Sequence, residues 1–294
     1  MLPDKTYSRV NIPLLIGGLM ISVMVFLCVS TFFLPLQDPL AQNLGASLTP
    51  PGEEWLFGTD TLGRDLLSRI LYGSRISLAV GAGVLLLVAL LGTALGAAAA
   101  YFGGVTDGLI MRTADILMSF PPLILAMIVM AFTGPGTINL VGILVLIRWP
   151  QFARLVRGQA LSVKNRTFVE AARVAGTGPL KIVLRHILPN CFSPVIAYGA
   201  MTIGAIIIDE SALSFLGLGI GPPNPSWGMM LADAKNYITV APWLLVFPGL
   251  AIMITVLGFN LLGDGLSNIL DPKQHRTNEV HYANTEGEKL KNIF

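Results

Sequence analysis

The sequence predicts an all-α membrane protein with six transmembrane helices, and three observations lead to that prediction. Of its 294 residues, 53% are hydrophobic and only 12% are charged, about half the charged fraction of soluble domains. The mean hydropathy is +0.70. Uncharged runs of the roughly 20 residues that a helix needs to cross a bilayer recur along the chain. A soluble core could not bury so many uninterrupted apolar runs.

The apolar runs can be assigned to spans one by one. Residues 12–36 are too long for the roughly 7–15-residue apolar region of a signal peptide, so we predict a retained first helix. The uncharged stretch 116–147 is too long for one span, and a Gly/Pro-rich turn at 133–137 divides it. The predicted spans are therefore 12–36, 76–101, a third entered near residue 109, a fourth continuing towards 152, 191–208 and 243–262.

The distribution of positive charge predicts the orientation of these spans. Fourteen of the 19 Lys and Arg residues fall on the side of the N-terminus, four fall on the other side, and Arg148 lies within the fourth span. Because positive residues are retained in the cytoplasm, both termini are expected there. This topology gives a cytoplasmic N-terminus (1–11), a transmembrane domain (12–270) with an extracytoplasmic loop (35–75) and a cytoplasmic loop (158–190), and a cytoplasmic tail (271–294).

The cytoplasmic loop predicts a pair of short helices. Residues 168–175 are good helix formers with apolar positions at i, i+4 and i+7, and Gly176 and Gly178 suit a helix terminus and turn. A second helix is predicted over 180–188, ended by Pro189. A helix with an apolar, small-residue surface facing the cytoplasm is suited to a groove in another protein.

The same loop resembles the EAA motif of ABC importers, E-A-A-x3-G-x9-I-x-L-P. One position departs from it: His186 replaces the isoleucine, and His-Ile-Leu-Pro resembles C-type permeases of the dipeptide/oligopeptide/nickel branch. Stretches 57–78, 214–228 and 260–272 are similar to the same branch. The residues in register with the motif are Glu170, Ala171, Ala172, Gly176, Leu188 and Pro189.

This resemblance implies a type I ABC importer permease in a bacterial or archaeal cytoplasmic membrane. Such a subunit forms half of a translocation pathway for di- or oligopeptides and couples to ATPases through the EAA loop. The implied partners are a second homologous permease subunit, two ATP-binding subunits, an extracytoplasmic solute-binding protein and the lipid bilayer. Import of nickel or a metal chelate stays open, as does the different class of a secondary transporter or channel, although the expected midplane polar residues are few.

The sequence predicts neither an enzyme nor a cofactor site. It lacks the GxxxxGK[ST] loop, so ATP and Mg²⁺ are expected on the partner subunits. The three histidines do not cluster, and Cys28 and Cys191 lack metal-ligand spacing, so no metal site is expected. A net charge of +2 does not suggest a nucleic-acid partner.

Charged residues of the outer loop could form ion pairs or contact substrate. Asp60 and Arg64, and likewise Asp65 and Arg69, have the i, i+4 spacing of helical ion pairs. We expect them to fix a short extracytoplasmic helix, or alternatively to receive substrate from a binding protein. At the membrane edge, Arg112 with Asp115 predicts a snorkelling arginine and its partner.

Two acids are predicted within the fifth span. Asp209 and Glu210 lie roughly 25 Å along a helix counted from Ser193. Acids at membrane depth face protein or water. Two roles are open for these acids: pairing with an arginine, for instance in the outer segment, or lining the translocation path. In the second span, Gly92 and Gly96 predict close packing, either within the bundle or with a second membrane subunit.

Overall fold

The computed structural model describes residues 11–221 and 223–270, and within these ranges the regular structure is helical, with one isolated β-bridge. The proposed tail, and all but the last residue of the N-terminal segment, lie outside the described residues. The α-helices are α1 Ile12–Ser30, α2 Leu66–Phe102, α3 Gly104–Met118, α4 Pro122–Thr133, α5 Thr137–Lys164, α6 Thr167–Val174, α7 Pro179–Ile182, α8 Phe192–Phe215, α9 Trp227–Ala234 and α10 Trp243–Leu270.

The number of spans agrees with the predicted class. Among the described residues, five helical segments are long and apolar enough to cross a membrane: α1, α2, α5, the continuous run Pro179–Phe215, and α10. The third predicted span is not a single helix, because α3 and α4 meet at a 90° bend. Pro121 and Pro122 cause the break, since the residue before a proline is disfavoured in the α conformation and Pro121 is extended at ψ 127°. Counted together, α3 and α4 make the sixth span.

The bundle has two distinct ends, because α8 separates α6 from α9 by a helix of 24 residues, roughly 36 Å. We call them the α6 end and the α9 end. Along the bundle, α2 packs on α5, and α10 packs between α1 and α8. At the α9 end, the Trp227 indole N–H donates to the Ile70 carbonyl at 3.0 Å. That bond fastens α9 to α2 in the core.

The two glycines of the second span make the close contact between α2 and α5. A Cβ atom at Gly92 would lie 2.9 Å from the Phe152 Cβ. At Gly96 it would collide with the Ala153 carbonyl oxygen and approach the Val156 Cβ to 3.0 Å. The structure therefore uses this Gly-x-x-x-Gly pair for packing within the bundle.

Gly96→Ala is expected to lower the stability of the bundle by about 1–3 kcal/mol, the usual cost of overpacking. The added methyl group meets backbone, which cannot rotate away. The measurement is the thermal unfolding midpoint of the detergent-purified protein. Gly83→Ala is the matched control, since nothing lies within 4 Å of a Cβ at that position of the same helix. Equal midpoints for the two variants would contradict the prediction.

Candidate functional site

Helix α6 ends in the turn that its glycine predicts. Gly176 has a φ of +76°, in the left-handed region that favours glycine. Its N–H donates to the Arg173 carbonyl at 3.0 Å, and the N–H of Thr177 donates to the Ala172 carbonyl at 3.1 Å. These two bonds form a Schellman motif, which satisfies the last carbonyls of the helix. The direction in which the chain leaves α6 is therefore fixed.

A single buried side chain anchors α6 to the bundle. Val169 is fully buried, in a cluster with Val163 at the end of α5 and with Ile182 and Ile187 after the turn. The apolar side chain of Val174, by contrast, is 90% exposed. Helix α6 is thus held from one side, and its remaining apolar surface faces away from the bundle.

The second half of the loop differs from the prediction, because Pro189 does not end a helix. Helix α7 passes into a π turn, Val183–Ile187, then a 3₁₀ turn, Leu188–Cys191, and directly into α8. Widened turns accommodate a residue without an N–H donor. The Asn190 side chain donates to the His186 carbonyl at 2.7 Å, further satisfying the backbone there. As a result, α7 and α8 form one continuous helical rod.

The motif residues lie together at the α6 end with different degrees of exposure. The buried side chains of this region are Val169, Ile182 and Ile187, none of which belongs to the motif. The motif residues at the surface are Glu170, Ala171, Gly176 and Pro189, and the half-buried ones are Ala172, His186 and Leu188. The motif therefore marks an accessible surface rather than a core.

Charged side chains fasten the α6 end of α5 to its neighbours. Arg157 donates to both carboxylate oxygens of Asp107 on α3, each at 2.5 Å. The Lys164 ammonium donates to the carbonyls of Ala100 and Tyr101, both at 2.8 Å. A cation at the last carbonyls of α2 also complements the helix dipole. These contacts give α6 a rigid base.

The ion pair predicted between Arg112 and Asp115 is wrong. Asp115 pairs instead with Arg154 of α5. The two predicted residues are neighbours along α3, whereas Arg154 reaches Asp115 from the helix packed against it. A pairing within one helix was inferred from sequence distance alone.

At the α9 end, the predicted short helix of the outer loop is absent from the described residues. Residues 59–65 form a turn, closed by a β-bridge between Thr59 and Asp65. Asp60 does pair with Arg64, at 2.6 Å. Asp65 does not pair with Arg69: it is the N-cap of α2 and accepts from the Ser68 N–H at 2.9 Å. An acidic residue directly before a helix stabilises the protein more by capping the free N–H groups of the first turn than by forming a surface ion pair.

Arg69 instead joins a buried cluster that links three segments. Its Nε lies 3.3 Å from Asp60 Oδ2, and its Nη1 donates to the Pro39 carbonyl at 3.1 Å. Asp233 of α9 lies 3.9 Å from both Arg64 and Arg69. Burial raises the pKa of Asp233, while the two arginines act in the opposite direction. The cluster clamps the outer loop, α2 and α9 together.

Within the membrane span, Asp209 pairs with Arg148, a residue that the sequence analysis did not include in any site. Arg148 donates its Nε–H to Asp209 Oδ2 at 2.7 Å, and its Nη2 also contacts that oxygen. The expected partner in the outer segment is therefore wrong, because the arginine lies in the fourth span. The signal was present in the sequence: Arg148 is the one Lys or Arg inside a predicted span, where an unpaired cation is costly.

The neighbouring Glu210 has different surroundings. It is fully buried and accepts hydrogen bonds from Ser214 at 2.8 Å and from Ser211 at 3.3 Å. It forms no ion pair with a described residue. Neighbours in a helix point in different directions, and here only Asp209 reaches across to α5. Serine hydroxyls of the same helix therefore hold the Glu210 carboxylate.

This arrangement defines a polytopic helical membrane protein with an accessible helix pair at one end and charges inside the bundle. Among the described residues, no group of three His, Cys, Asp or Glu side chains could hold a metal ion. Residues 92–276 match the family described as binding-protein-dependent transport system inner membrane component. The chain belongs to this family. It is a membrane-spanning permease component, which confirms the resemblance and decides against a secondary transporter or channel.

Individual relatives cover most of the chain. The glutathione transport system permease protein GsiD of Pectobacterium atrosepticum is 48% identical over 224 residues, which are 76% of this chain and 74% of the relative. The di/tripeptide transport system permease protein DppC of Pseudomonas aeruginosa is 40% identical over 267 residues, 88% of each chain. The dipeptide transport system permease protein DppC of Haemophilus influenzae is 39% identical over 273 residues, 91% of this chain and 92% of the relative.

Proposed function

We propose that this chain forms half of the translocation pathway of an ATP-driven importer of dipeptides and short oligopeptides. Its relatives are named for dipeptides, di/tripeptides and glutathione, which is itself a tripeptide. None of these three names refers to nickel, so they favour peptides over a metal ion. The chain itself carries no catalytic residues or cofactor in this proposal.

The proposed complex contains a second homologous permease subunit, two ATP-binding subunits and an extracytoplasmic solute-binding protein. ATP and Mg²⁺ are bound by the ATP-binding subunits, and ATP hydrolysis takes place there. This proposal takes the orientation that the Lys and Arg distribution predicts, with both termini cytoplasmic, and the α6 end then lies on the cytoplasmic side. The α9 end, with its clamp of Asp60, Arg64 and Arg69, then faces the solute-binding protein.

The observation that carries this proposal is the outward-facing apolar surface of α6 and α7. Val174 is 90% exposed and Leu180 is 71% exposed. Both lie beside the Gly176 turn, on the side that faces away from the bundle. Apolar side chains exposed in this way are stabilised when a protein partner buries them. A groove on an ATP-binding subunit would bury these side chains together with Ala171 and Ala172.

The same contacts explain how movement of that partner reaches the membrane. Val169 ties α6 to the end of α5, and the Gly176 turn fixes the position of α7 relative to α6. Because α7 continues into α8 without a break, displacement of the helix pair is passed along α8 towards Asp209. Glu170, Ala171, Ala172, Gly176, His186, Leu188 and Pro189 are the coupling residues in this proposal.

The docking surface can be tested by photo-crosslinking. A benzoyl-phenylalanine at Ala171, introduced in the assembled complex, is expected to form an adduct with an ATP-binding subunit, identified by mass spectrometry. The control places the same group at Leu86, which is 60% exposed on the apolar side of α2 and should not reach that subunit. An Ala171 adduct spectrum without any ATP-binding subunit would contradict the proposal.

A further inference from the structure

A polar seam runs between α5 and α8 inside the apolar bundle. On α5, Arg148 and Gln151 are three residues apart, so they share a face of the helix. On α8, Tyr198 and Asp209 are 11 residues apart, about three full turns, and share a face as well. Arg148 bonds Asp209 at 2.7 Å, and the Tyr198 hydroxyl donates to Gln151 Oε1 at 3.3 Å. We call these four residues the polar seam.

The polar seam has hydrogen-bonding capacity that the chain does not use. Arg148 Nη1, Asp209 Oδ1 and Gln151 Nε2 make no hydrogen bond to any described residue. Within residues 11–221 and 223–270, the sole side-chain polar atom that is both sealed from the surface and unpaired is Ser68 Oγ. The three free atoms of the seam are therefore not sealed, and the Arg148 and Asp209 side chains keep 16% and 8% of their surface exposed.

Accessible polar atoms at this depth cannot face lipid. Tyr198 lies roughly 9 Å and Asp209 roughly 25 Å along α8, within a helix of roughly 36 Å. Each unsatisfied polar group in the hydrocarbon layer costs several kcal/mol. The seam must then face water, a polar ligand or polar groups of another subunit. Glu210 is not part of it, because both its carboxylate oxygens accept serine hydroxyls.

We propose that the polar seam lines the water-filled translocation path and binds the backbone of a peptide-class solute in transit. The free guanidinium and carboxamide N–H groups suit peptide carbonyls and the terminal carboxylate, and Asp209 Oδ1 suits peptide N–H groups and the terminal ammonium. Arg148 and Asp209 neutralise one another, so the seam offers no net attraction to a bare metal cation. This inference rests on the proposed import function and assigns residues to it.

Thiol labelling tests whether the polar seam is wet. Gln151→Cys is made in a chain whose Cys28 and Cys191 are replaced by alanine, and the complete complex is reconstituted in liposomes. We expect a trimethylammonium methanethiosulfonate to label the new thiol in at least one of the ATP-bound, vanadate-trapped and nucleotide-free states. Labelling is measured as an increase in the mass of this chain. Dialanine with the solute-binding protein should slow the reaction.

The control for labelling is Ile208→Cys, which replaces an apolar side chain next to Asp209 that is 48% exposed. Gln151→Cys is expected to react roughly tenfold faster than this control, because lipid excludes both the charged reagent and the thiolate. Equal rates in every nucleotide state would overturn the proposal. That result would mean a dry polar contact with another subunit.

Transport provides the second readout. Gln151→Leu removes one 3.3 Å hydrogen bond and the free amide, and we expect dialanine uptake to fall roughly tenfold while the unfolding midpoint is kept. Gln151→Asn should recover part of the loss. Full uptake by Gln151→Leu in an intact, ATP-driven complex would overturn this inference alone. Failure of the wild-type chain to assemble with ATP-binding subunits would instead overturn the proposed function.

Discussion

Arg148→Leu is expected to destabilise the folded bundle by about 3 kcal/mol or more, the cost of removing one partner of a buried ion pair. The side chains of Arg148 and Asp209 are 16% and 8% exposed, so water at Asp209 Oδ1 would replace only part of the lost guanidinium contact. Most of the charge of the remaining carboxylate would stay uncompensated at membrane depth. The free energy gained from the pair is smaller than this, because forming it also removes two charges from water.

A double-mutant cycle separates the cost of an orphaned charge from the value of the pair. Arg148→Leu and Asp209→Leu should each lower the thermal unfolding midpoint of the purified complex. The double variant, in which neither charge remains, should recover most of that loss. Glu210→Gln is the neighbouring control and should change little, since serine hydroxyls can donate to a carboxamide oxygen. Additive losses in the double variant would contradict a direct pair.

Stability and transport are expected to respond differently in the double variant. If the pair only holds α5 to α8, restored stability should restore uptake. If the polar seam contacts solute, the double variant should be stable and still defective in uptake, because it offers neither a guanidinium nor a carboxylate. This split makes the structural and the transport roles of Arg148 and Asp209 distinguishable in one set of proteins.

The spans could be predicted from sequence because bilayer thickness sets a length that uncharged runs either meet or do not. This criterion of length and charge says nothing about the direction of a helix. It therefore did not predict the 90° bend between α3 and α4. Pro121 and Pro122 were visible in the sequence, but a proline pair limits local backbone angles and does not by itself specify the new helix direction. The sequence therefore predicted that these helices exist, but it did not predict the direction in which each one runs.

The partners of the charged residues were harder to predict from the sequence than the helices. Arg148 and Asp209 are separated by 61 residues, and only the packing of α5 on α8 brings them together. Asp65 had a local alternative to the predicted ion pair, capping α2, and the sequence pattern suited both. The turn at Gly176 was predictable because its requirement for a left-handed backbone is local.

Gly176→Val is expected to reduce ATP-driven uptake, by up to about tenfold. Left-handed backbone costs a residue with a Cβ about 1–2 kcal/mol, and a β-branched residue is the least tolerated there. A penalty of about 1.4 kcal/mol changes a conformational population tenfold. The ratio of molecules in which α6 ends correctly to molecules in which it does not would fall by that factor, so tenfold is the largest loss of uptake that this penalty can cause. The spans do not depend on this turn, so the amount of folded protein in the membrane should change little.

Gly178→Val serves as the matched control two residues away. Gly178 has a φ of −65° and a ψ of 154°, an extended conformation that valine readily adopts, and nothing lies within 4 Å of a Cβ there. If uptake depends on the Schellman geometry of α6, Gly176→Val should lose activity and Gly178→Val should keep it. Equal loss in both would point to the bulk of an added side chain at the docking surface. If both variants keep full uptake, the direction in which the chain leaves α6 at Gly176 does not determine its coupling to the partner.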